Sequence, residues 1–265
     1  MGIAELDHRR HREMADNLYN RRRRELIGEC EKCDGTGNIS HEEWVDDIPV
    51  PRSETCVCKA ALIFEMGMHD AGLPREFWGA ESIIPEFNRR AFDELAKYAR
   101  NLDRVRAHGL GLVLTGRNGS GKSSSACLPL ITAIRSGVTA SFVNFPDLVG
   151  GWRRSWRDAE LATHLDERLH RDLVVLDEVG KEHVGTDDTF VASKIDSLLR
   201  LRRGSMLPTI ITTNLTIPEL IKRYGESVGS LLADRYKVIS YKPGDFRVKM
   251  ASTWDALIEG GDADE

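Results

Sequence analysis

Residues 116–125, GRNGSGKSSS, combine three glycines with one lysine in a pattern typical of a phosphate-binding loop. The spacing G-x-x-x-x-G-K-[ST] spans residues 116–123, and in this pattern backbone N–H groups of the loop and the next helix surround the phosphates of a nucleotide. Glycine permits positive φ and a close approach to the anion. Lys122 would contact the β- and γ-phosphates, and Ser123 would bind Mg²⁺. The predicted phosphate-binding residues are Gly116, Asn118, Gly119, Ser120, Gly121, Lys122, Ser123 and Ser124.

Two further polar groups follow apolar runs. Residues 171–180, RDLVVLDEVG, contain the adjacent acids Asp177 and Glu178. In P-loop enzymes the first acid holds Mg²⁺ through its water shell, and the second orients and deprotonates the attacking water. Asn214 ends the run TIITTN, residues 209–214, and is predicted to position water beside the γ-phosphate; a structural turn is the alternative. The second acid and an extra strand before it favour ATPases that use a glutamate over GTPase-like or kinase-like enzymes.

These side chains can act together only if strands and a helix bring them to one edge of a sheet. Residues 110–115, LGLVLT, predict a buried strand that ends at the loop, and residues 138–145, 171–180 and 209–214 predict three more. A helix should follow the loop, with a kink or an early end at Pro129. The predicted fold class is therefore α/β, a parallel sheet with helices on both faces.

Four of the five cysteines lie in one window, as Cys30-x-x-Cys33 and Cys56-x-Cys58. In a chain with no export signal, such thiols are better explained as ligands of a structural Zn²⁺ ion than as disulfides. Glycines in CEKCDGTG follow the first pair, where a metal knuckle needs positive φ and N–H groups that face the sulfurs. His41 lies between the pairs and could replace one thiolate. Reduced cysteines in a small core are the alternative to zinc.

Residues 150–165, GGWRRSWRDAELATHL, combine aromatic and basic side chains. On a helix the two tryptophans would share one face and two arginines would form the adjacent row. Rings that stack on bases and guanidinium groups that follow phosphates suit single-stranded DNA. The candidate DNA-binding residues are Trp152, Arg153, Arg154, Trp156 and Arg157. The alternative is that the tryptophans anchor the helix to the sheet and the arginines are solvated.

The bulk properties place these motifs in a protein with a substantial core. The chain has 265 residues, 41% of them hydrophobic, and a formal charge of -5. No apolar run reaches membrane-spanning length and no signal peptide is visible, so we expect a cytoplasmic protein. We divide the chain into a basic helix with the cysteine module at residues 1–72, an ATPase domain at residues 73–250, and an acidic tail at residues 251–265, which we expect to be solvated.

The order of these motifs resembles the DnaC/DnaI-type helicase loaders of the AAA+ ATPase superfamily, which many phages also encode. The resemblance rests on CEKCDGTG, CVCK, GRNGSGKS, VVLDEVG, RRGSMLPTIITTNL, LLADRY and DFRVK, and covers residues 30–249. It implies that Asn214 is the first sensor, that Arg235 is an arginine finger for a neighbouring subunit's nucleotide, and that Arg247 is the second sensor. It further implies assembly into a spiral or ring. The chain departs from the family in the spacing of its second cysteine pair and in Asp234, where the family usually has a small residue.

By this resemblance the protein is an ATPase that uses ATP, Mg²⁺ and Zn²⁺, binds a hexameric replicative DNA helicase through its cysteine module, and helps to place the helicase on single-stranded DNA. Two alternatives stay open. An IstB-type transposition helper has a similar ATPase domain but would recruit a transposase. A zinc adaptor would hold nucleotide without hydrolysis, but the intact Glu178 and Arg235 argue against it.

Overall fold

A two-stranded hairpin joins the two cysteine pairs near the start of the chain. The computed structural model describes residues 16–80, 88–182 and 188–242, and the chain divides into two units, Met1–Asp70 and Ala71–Glu265. In the first unit, helix α1 (16–23) continues into a π-helical turn (Arg24–Gly28), and the antiparallel strands β1 (Asn38–Val45) and β2 (Ile48–Thr55) precede helix α2 (Val57–Asp70). The small core of this unit contains Ile27, Leu62 and three of the cysteines.

The four apolar runs predicted as strands form the central sheet of the second unit together with a fifth strand, Tyr236–Ser240, which was not predicted. Its strands are β3 (Gly111–Thr115), β4 (Ala140–Asn144), β5 (Leu173–Val179), β6 (Thr209–Thr213) and β7 (Tyr236–Ser240). The strand order is β4-β5-β6-β3-β7, and every neighbouring pair is parallel. All carboxyl ends therefore lie at one edge of the sheet, which brings the loop after β3 beside the polar ends of β5 and β6.

Helices cover both faces of this sheet. They are α3 (Arg89–Arg100), α4 (Leu102–Ala107), α5 (Lys122–Arg135), α6 (Phe145–Ser155), α7 (Ala159–Leu169), α8 (Asp188–Gly204), α9 (Ile217–Tyr224) and α10 (Glu226–Arg235), with a short 3-10 turn at Arg75–Phe77. Helix α5 packs on strands β3 to β6 and on α3. Apolar side chains of α6, α8, α9 and α10 form one core with the side chains of β3 to β6. The predicted α/β fold with helices on both faces is confirmed.

The helix after the loop continues past its proline. Pro129 lies within α5, which runs on to Arg135, so an early end at this position is wrong. The side chain of Pro129 is buried together with Leu130 and Ile131, and this packing holds the helix on the sheet although proline provides no backbone N–H. Tertiary burial therefore outweighs the local cost of the proline.

A fully buried arginine, Arg202, hydrogen-bonds to the segments that enter β5 and β6, at the edge of the sheet opposite the loop. The guanidinium of Arg202 donates to the carbonyl oxygens of Leu169 at 2.6 Å, Arg171 at 3.0 Å and Pro208 at 2.6 Å, and to the hydroxyl of Thr209 at 2.7 Å. Leu169 and Arg171 lie just before β5, Pro208 lies just before β6, and Thr209 begins β6. Burial lowers the pKa of Arg202 to about 10. The side chain therefore acts as a polar cross-link between chain segments that enter the sheet.

We predict that Arg202→Ala lowers the free energy of unfolding by about 3–5 kcal/mol, because it leaves several buried carbonyl groups without a donor. Urea unfolding followed by circular dichroism measures the change. Arg203→Ala is the matched control: the neighbouring arginine is exposed and pairs with Asp234, so its loss should cost less than about 1 kcal/mol. Equal destabilisation by the two substitutions would contradict this role of Arg202.

Candidate functional site

The loop between β3 and α5 has the backbone geometry of an anion cradle. Gly116, Gly119 and Gly121 have φ values of 150°, 75° and 87°. A Cβ atom on Gly116 would lie 2.8 Å from the carbonyl oxygen of Tyr241, so close packing also requires glycine there. Gly121 is the N-cap of α5 and provides no side chain to bond the first N–H groups of that helix. These N–H groups are therefore directed toward a phosphate position.

Lys122 lies at the centre of the loop with its ammonium group enclosed by oxygen atoms. Its Nζ donates to the carbonyl oxygens of Gly116 and Arg117, both at 2.8 Å, and to Oδ1 of Asn214 at 3.0 Å. Burial, together with the nearby charge of Lys181, lowers the pKa of Lys122 to about 8. An anion in the loop would favour the charged form, so the lysine is suited to phosphate binding.

A buried carboxylate lies beside the start of α5. Asp177 ends the apolar part of β5 and accepts a hydrogen bond from Oγ1 of Thr212 at 2.6 Å. Ser123 also hydrogen-bonds to its carboxylate. Burial raises the pKa of Asp177, although both hydrogen bonds oppose the shift. A hydroxyl and a buried carboxylate that already touch fit the donor set of a nucleotide-bound Mg²⁺, whose charge would offset the burial of Asp177.

Glu178 leaves the regular strand geometry. Its φ is 64°, and the register of β5 against β6 shifts between Leu176 and Val179, which defines a bulge. The Glu178 amide donates to Oγ1 of Thr212 at 3.0 Å. A bulge redirects a side chain that would otherwise follow the alternation of the strand. The carboxylate forms an ion pair with Lys181 and accepts a hydrogen bond from Nδ2 of Asn144 at 3.4 Å.

The end of β6 contributes a polar side chain to the same place. Asn214 accepts from Lys122 and donates through Nδ2 to Oδ1 of Asn118 at 2.7 Å. The structure thus brings Asn214, Asn118 and Lys122 into one hydrogen-bonded group, next to the hydrogen-bonded pair of Ser123 and Asp177. The polar residue after an apolar strand correctly indicates proximity to the loop. Its role toward water stays a prediction.

Two asparagines at the site were missed by sequence reasoning. Asn144 ends β4, next to Asp177 in the register of the sheet, and its side chain both caps α6 and contacts Glu178. Asn88 is buried, and its amide donates to the carbonyl oxygens of Ser120 and Lys242, both at 3.2 Å. A polar residue at a strand end could have pointed to Asn144. No local pattern distinguishes Asn88 from an ordinary helix cap.

Arg235 lies at the opposite edge of the sheet from the loop of its own chain. It is the last residue of α10, directly before Tyr236, which pairs with Gly111 at the start of β3. Its guanidinium donates to the carbonyl oxygen of His108 at 2.6 Å and lies 3.5 Å from the carboxylate of Asp234. Arg247 lies outside the described residues.

The aromatic and basic segment is only partly available to a ligand. Trp152 is buried in the core, with its ring 6.0 Å from that of Phe145 in a T-shaped pair. This burial contradicts the prediction that Trp152 stacks on bases and fits the alternative that it anchors α6. Helix α6 ends at Ser155, and Trp156 after it is 74% exposed, with its ring perpendicular to that of Phe190 and 5.4 Å between the ring centroids. The exposed arginines of the segment are Arg153, Arg154 and Arg157.

The four clustered cysteines converge on one point. Their sulfur atoms all lie within 4.8 Å of one another, with 3.8 Å between Cys30 and Cys56 and 3.6 Å between Cys33 and Cys58. Four thiolates at Zn–S distances near 2.3 Å in a tetrahedron stand about 3.8 Å apart, so the cluster could hold zinc. The positive φ values of Gly35 and Gly37 and the Gly37 N–H bond to Cys33 Sγ at 3.2 Å match the predicted knuckle.

His41 does not belong to this ligand set. It lies within β1, opposite Arg52 on β2, and its exposed ring is 3.9 Å from the carboxylate of Glu54. The alternative in which His41 replaces a thiolate is therefore wrong. The reason is geometric: Gly37 and Cys56 are hydrogen-bonded at the base of the hairpin, and each residue added beyond Gly37 moves the chain away from the sulfurs.

Comparisons with known proteins agree with this geometry. The model of a family described as IstB-like ATP binding proteins matches residues 61–238. A crystal structure of the DnaC helicase loader superposes with a TM-score of 0.57 at 22% sequence identity, and the match covers 64% of this chain and 100% of that chain. No curated protein matched the chain significantly.

Two further replication proteins have the same fold. A crystal structure of DnaI gives a TM-score of 0.52 at 20% identity, covering 64% of this chain and 95% of that one. Domain III of the Thermotoga maritima replication initiation protein DnaA gives 0.54 at 16% identity, covering 73% and 78%. These likenesses show a shared fold, and together with the match to the ATP-binding family they identify it as the AAA+ P-loop fold. Among the described helices, none combines the length and apolar character needed to span a membrane.

The lowered pKa of Lys122 predicts a pH-dependent affinity for ATP. Phosphate oxygens stabilise the ammonium form, so binding takes up a proton above pH 8, and affinity should be about tenfold lower at pH 9 than at pH 7. Titration with a fluorescent ATP analogue at several pH values measures this. Lys122→Arg keeps its charge throughout and should bind with a flat profile; a flat wild-type profile would contradict the assignment.

The cysteine cluster predicts one zinc ion per chain. Cys33→Ser or Cys58→Ser should lose the metal, because each removes one of four thiolates from a closed site. Metal content is measured by inductively coupled plasma mass spectrometry of the purified protein. Cys127→Ser is the matched control, since this buried cysteine lies in α5. Both Cys127→Ser and His41→Ala should retain the metal. Loss of zinc in His41→Ala would show that His41 is a ligand after all.

Proposed function

The chain belongs to the family of IstB-like ATP-binding proteins, and from this we propose that it is an ATP-hydrolysing loader for a hexameric replicative DNA helicase. The observation that carries the proposal is a four-cysteine unit that precedes an AAA+ unit with the fold of the DnaC helicase loader. In this role ATP binding and hydrolysis change the contacts of the loader, and the helicase is released onto single-stranded DNA. Such a protein acts in the cytoplasm.

The site supports hydrolysis by a water molecule in line with the γ-phosphate. Lys122 and the N–H groups at the start of α5 hold the phosphates, and Ser123 and Asp177 would hold Mg²⁺, which neutralises the charge that develops on them. Glu178 is the general base. The bulge in β5 turns its carboxylate toward Asn144 and Lys181, from which it must separate to accept a proton from water. Asn214 positions that water.

The position of Arg235 supports assembly of several subunits. Arg235 lies beside the start of β3, and the phosphate-binding loop follows the end of the same strand. The strand has five residues, so at 3.3 Å per residue these two points are roughly 15 Å apart. Arg235 therefore acts on the nucleotide of a neighbouring subunit, and hydrolysis depends on a spiral or ring. Arg247, the proposed second sensor, acts on the nucleotide as well.

Single-stranded DNA is the proposed second ligand. With Trp152 in the core, the available contacts are the exposed Arg153, Arg154 and Arg157 for phosphates and the ring of Trp156 for a base. Such binding should weaken with rising salt, because most of its affinity comes from phosphate contacts.

A transposition helper is the second candidate function, because the matching family model is described as IstB-like. In that case the nucleotide chemistry is unchanged and the partner is a transposase on DNA. Binding of the replicative helicase separates the two candidates, because only a loader needs it. A non-hydrolysing adaptor is separated from both by measurement of ATP turnover.

We expect Glu178→Gln to bind ATP but to hydrolyse it at least 100-fold more slowly than the wild type, because the amide cannot accept the proton of water. Light scattering of the protein mixed with the replicative helicase of its host or phage should then show a complex that persists with ATP. Wild-type protein should release the helicase as ATP is consumed. Glu167→Gln, at an exposed position of α7, is the matched control and should behave as wild type.

Failure to form a complex with ATP, with ADP or without nucleotide would overturn the loader proposal and leave the transposase as the partner to test. Unchanged helicase release by Glu178→Gln would instead favour the adaptor, in which nucleotide only stabilises the protein. Turnover in the Glu178→Gln protein equal to the wild type would overturn the assignment of the base.

A further inference from the structure

The hairpin of β1 and β2 presents apolar side chains to solvent at its tip. Trp44 is 68% exposed, Ile48 64% and Val45 42%. The small core of the first unit consists of other residues, among them the cysteines, Ile27 and Leu62. Exposed aromatic and β-branched side chains grouped at one tip are costly in water and are typical of binding surfaces. The tip is therefore a candidate contact surface for another molecule.

The stem of the hairpin is built to hold this tip in place. Asp46 and Asp47 form the two-residue turn with positive φ values of 51° and 61°, which suits the twist of a tight hairpin. Across the strands, Arg52 pairs with Glu43 at 2.7 Å. The register places Trp44 opposite Pro49 and Val45 opposite Ile48. Successive residues of a strand face opposite sides, so Val45 and Ile48 share one face of the hairpin and Trp44 lies on the other face with Pro49.

The edge of β2 discourages recognition through the backbone. Pro49 and Pro51 carry no N–H groups, and proline on an edge strand prevents another strand from adding to it. Along this edge of the hairpin, contact with a partner therefore falls to side chains. Tryptophan is the residue type most often found to dominate the affinity of such contacts.

The negative charge of the hairpin indicates which class of molecule it can bind. Residues 38–55 contain the five carboxylates of Glu42, Glu43, Asp46, Asp47 and Glu54, against a single arginine. This surface repels the phosphates of nucleic acid. It complements an apolar pocket that is surrounded by lysine or arginine side chains on another protein, because opposite charges favour encounter and correct orientation.

We propose that the tip of the hairpin inserts into an apolar pocket with a basic rim on the partner protein, with Trp44 contacting one wall of the pocket and Val45 and Ile48 the other. The inference rests on the proposed function, so that partner is the hexameric helicase. It places the contact on the acidic hairpin and not on the basic side chains of α1 and its π-helical turn. The hairpin is acidic, whereas α1 and its π-helical turn are basic. A pocket with a basic rim therefore attracts the hairpin and repels the helix.

The test measures binding of the 265-residue protein to the purified replicative helicase of its host or phage by biolayer interferometry, with ATP present. Trp44→Ala and Ile48→Ala should each weaken binding at least tenfold. Ile63→Ala is the matched control, because Ile63 on α2 belongs to the same unit and is 59% exposed. It should bind as wild type. Zinc content and ATP turnover should be equal in all four proteins, which excludes misfolding as the cause.

A charge variant tests the rim of the pocket. Replacing Glu42, Glu43, Asp46 and Asp47 by their amides should weaken binding and reduce its dependence on salt, because fewer opposite charges meet. Asparagine also tolerates the positive φ of the turn, so the hairpin is preserved. An unchanged salt dependence would contradict a basic rim.

The outcomes separate this surface from the proposed function. If the wild type binds the helicase and both hairpin variants bind equally well, the surface is overturned and the loader proposal stands. If an Arg21, Arg23 and Arg24 to alanine variant alone loses binding, the basic helix is the contact and the hairpin is not. If the hairpin variants lose affinity for a single-stranded oligonucleotide instead, the partner is DNA. A wild-type protein that does not bind helicase overturns both proposals.

Discussion

A buried ammonium group needs oxygen atoms around it, and the nucleotide site is organised by that need at Lys122. Its donors are satisfied by carbonyl oxygens of the loop and by Asn214 at the end of β6. The hydrogen bond to Asn214 links the loop to the carboxyl end of that strand. Phosphate oxygens are acceptors of the same kind, so these donors suit a nucleotide phosphate.

The two edges of the parallel sheet hold different networks of polar side chains. At the edge where strands begin, the fully buried Arg202 bonds several carbonyl groups. At the edge where strands end, the hydroxyl of Thr212 accepts a hydrogen bond from the Glu178 backbone N–H and donates one to the Asp177 carboxylate. One hydroxyl therefore contacts both of the adjacent acidic residues. Their environments differ: Asp177 is buried, while Glu178 has partners, Asn144 and Lys181, that it can exchange for water. The bulge that contains both residues therefore places their carboxylates in different surroundings.

Local signals in the sequence predicted most of the fold because apolar runs and glycine loops have short-range causes. Strands appeared where residues 110–115, 138–145, 171–180 and 209–214 were apolar, and the cysteine pairs met as expected. Signals that depend on distant contacts failed. Trp152 and Trp156 share a helical spacing, yet only the first reaches the core, since α6 ends at Ser155. Asn88 contacts residues far along the chain, which no window around it encodes.

The hairpin depends on the cysteine cluster for its existence as a defined surface. Both ends of the hairpin enter the cluster: β1 starts directly after Gly37, whose carbonyl accepts the Cys56 amide that follows β2. An isolated two-stranded hairpin is at best marginally stable in water, and its side chains are almost all exposed. A metal ion held by the four thiolates would therefore also close the base of the hairpin. The nucleotide site has its own core in the other unit, so loss of such an ion should remove the proposed partner contact while ATP binding persists.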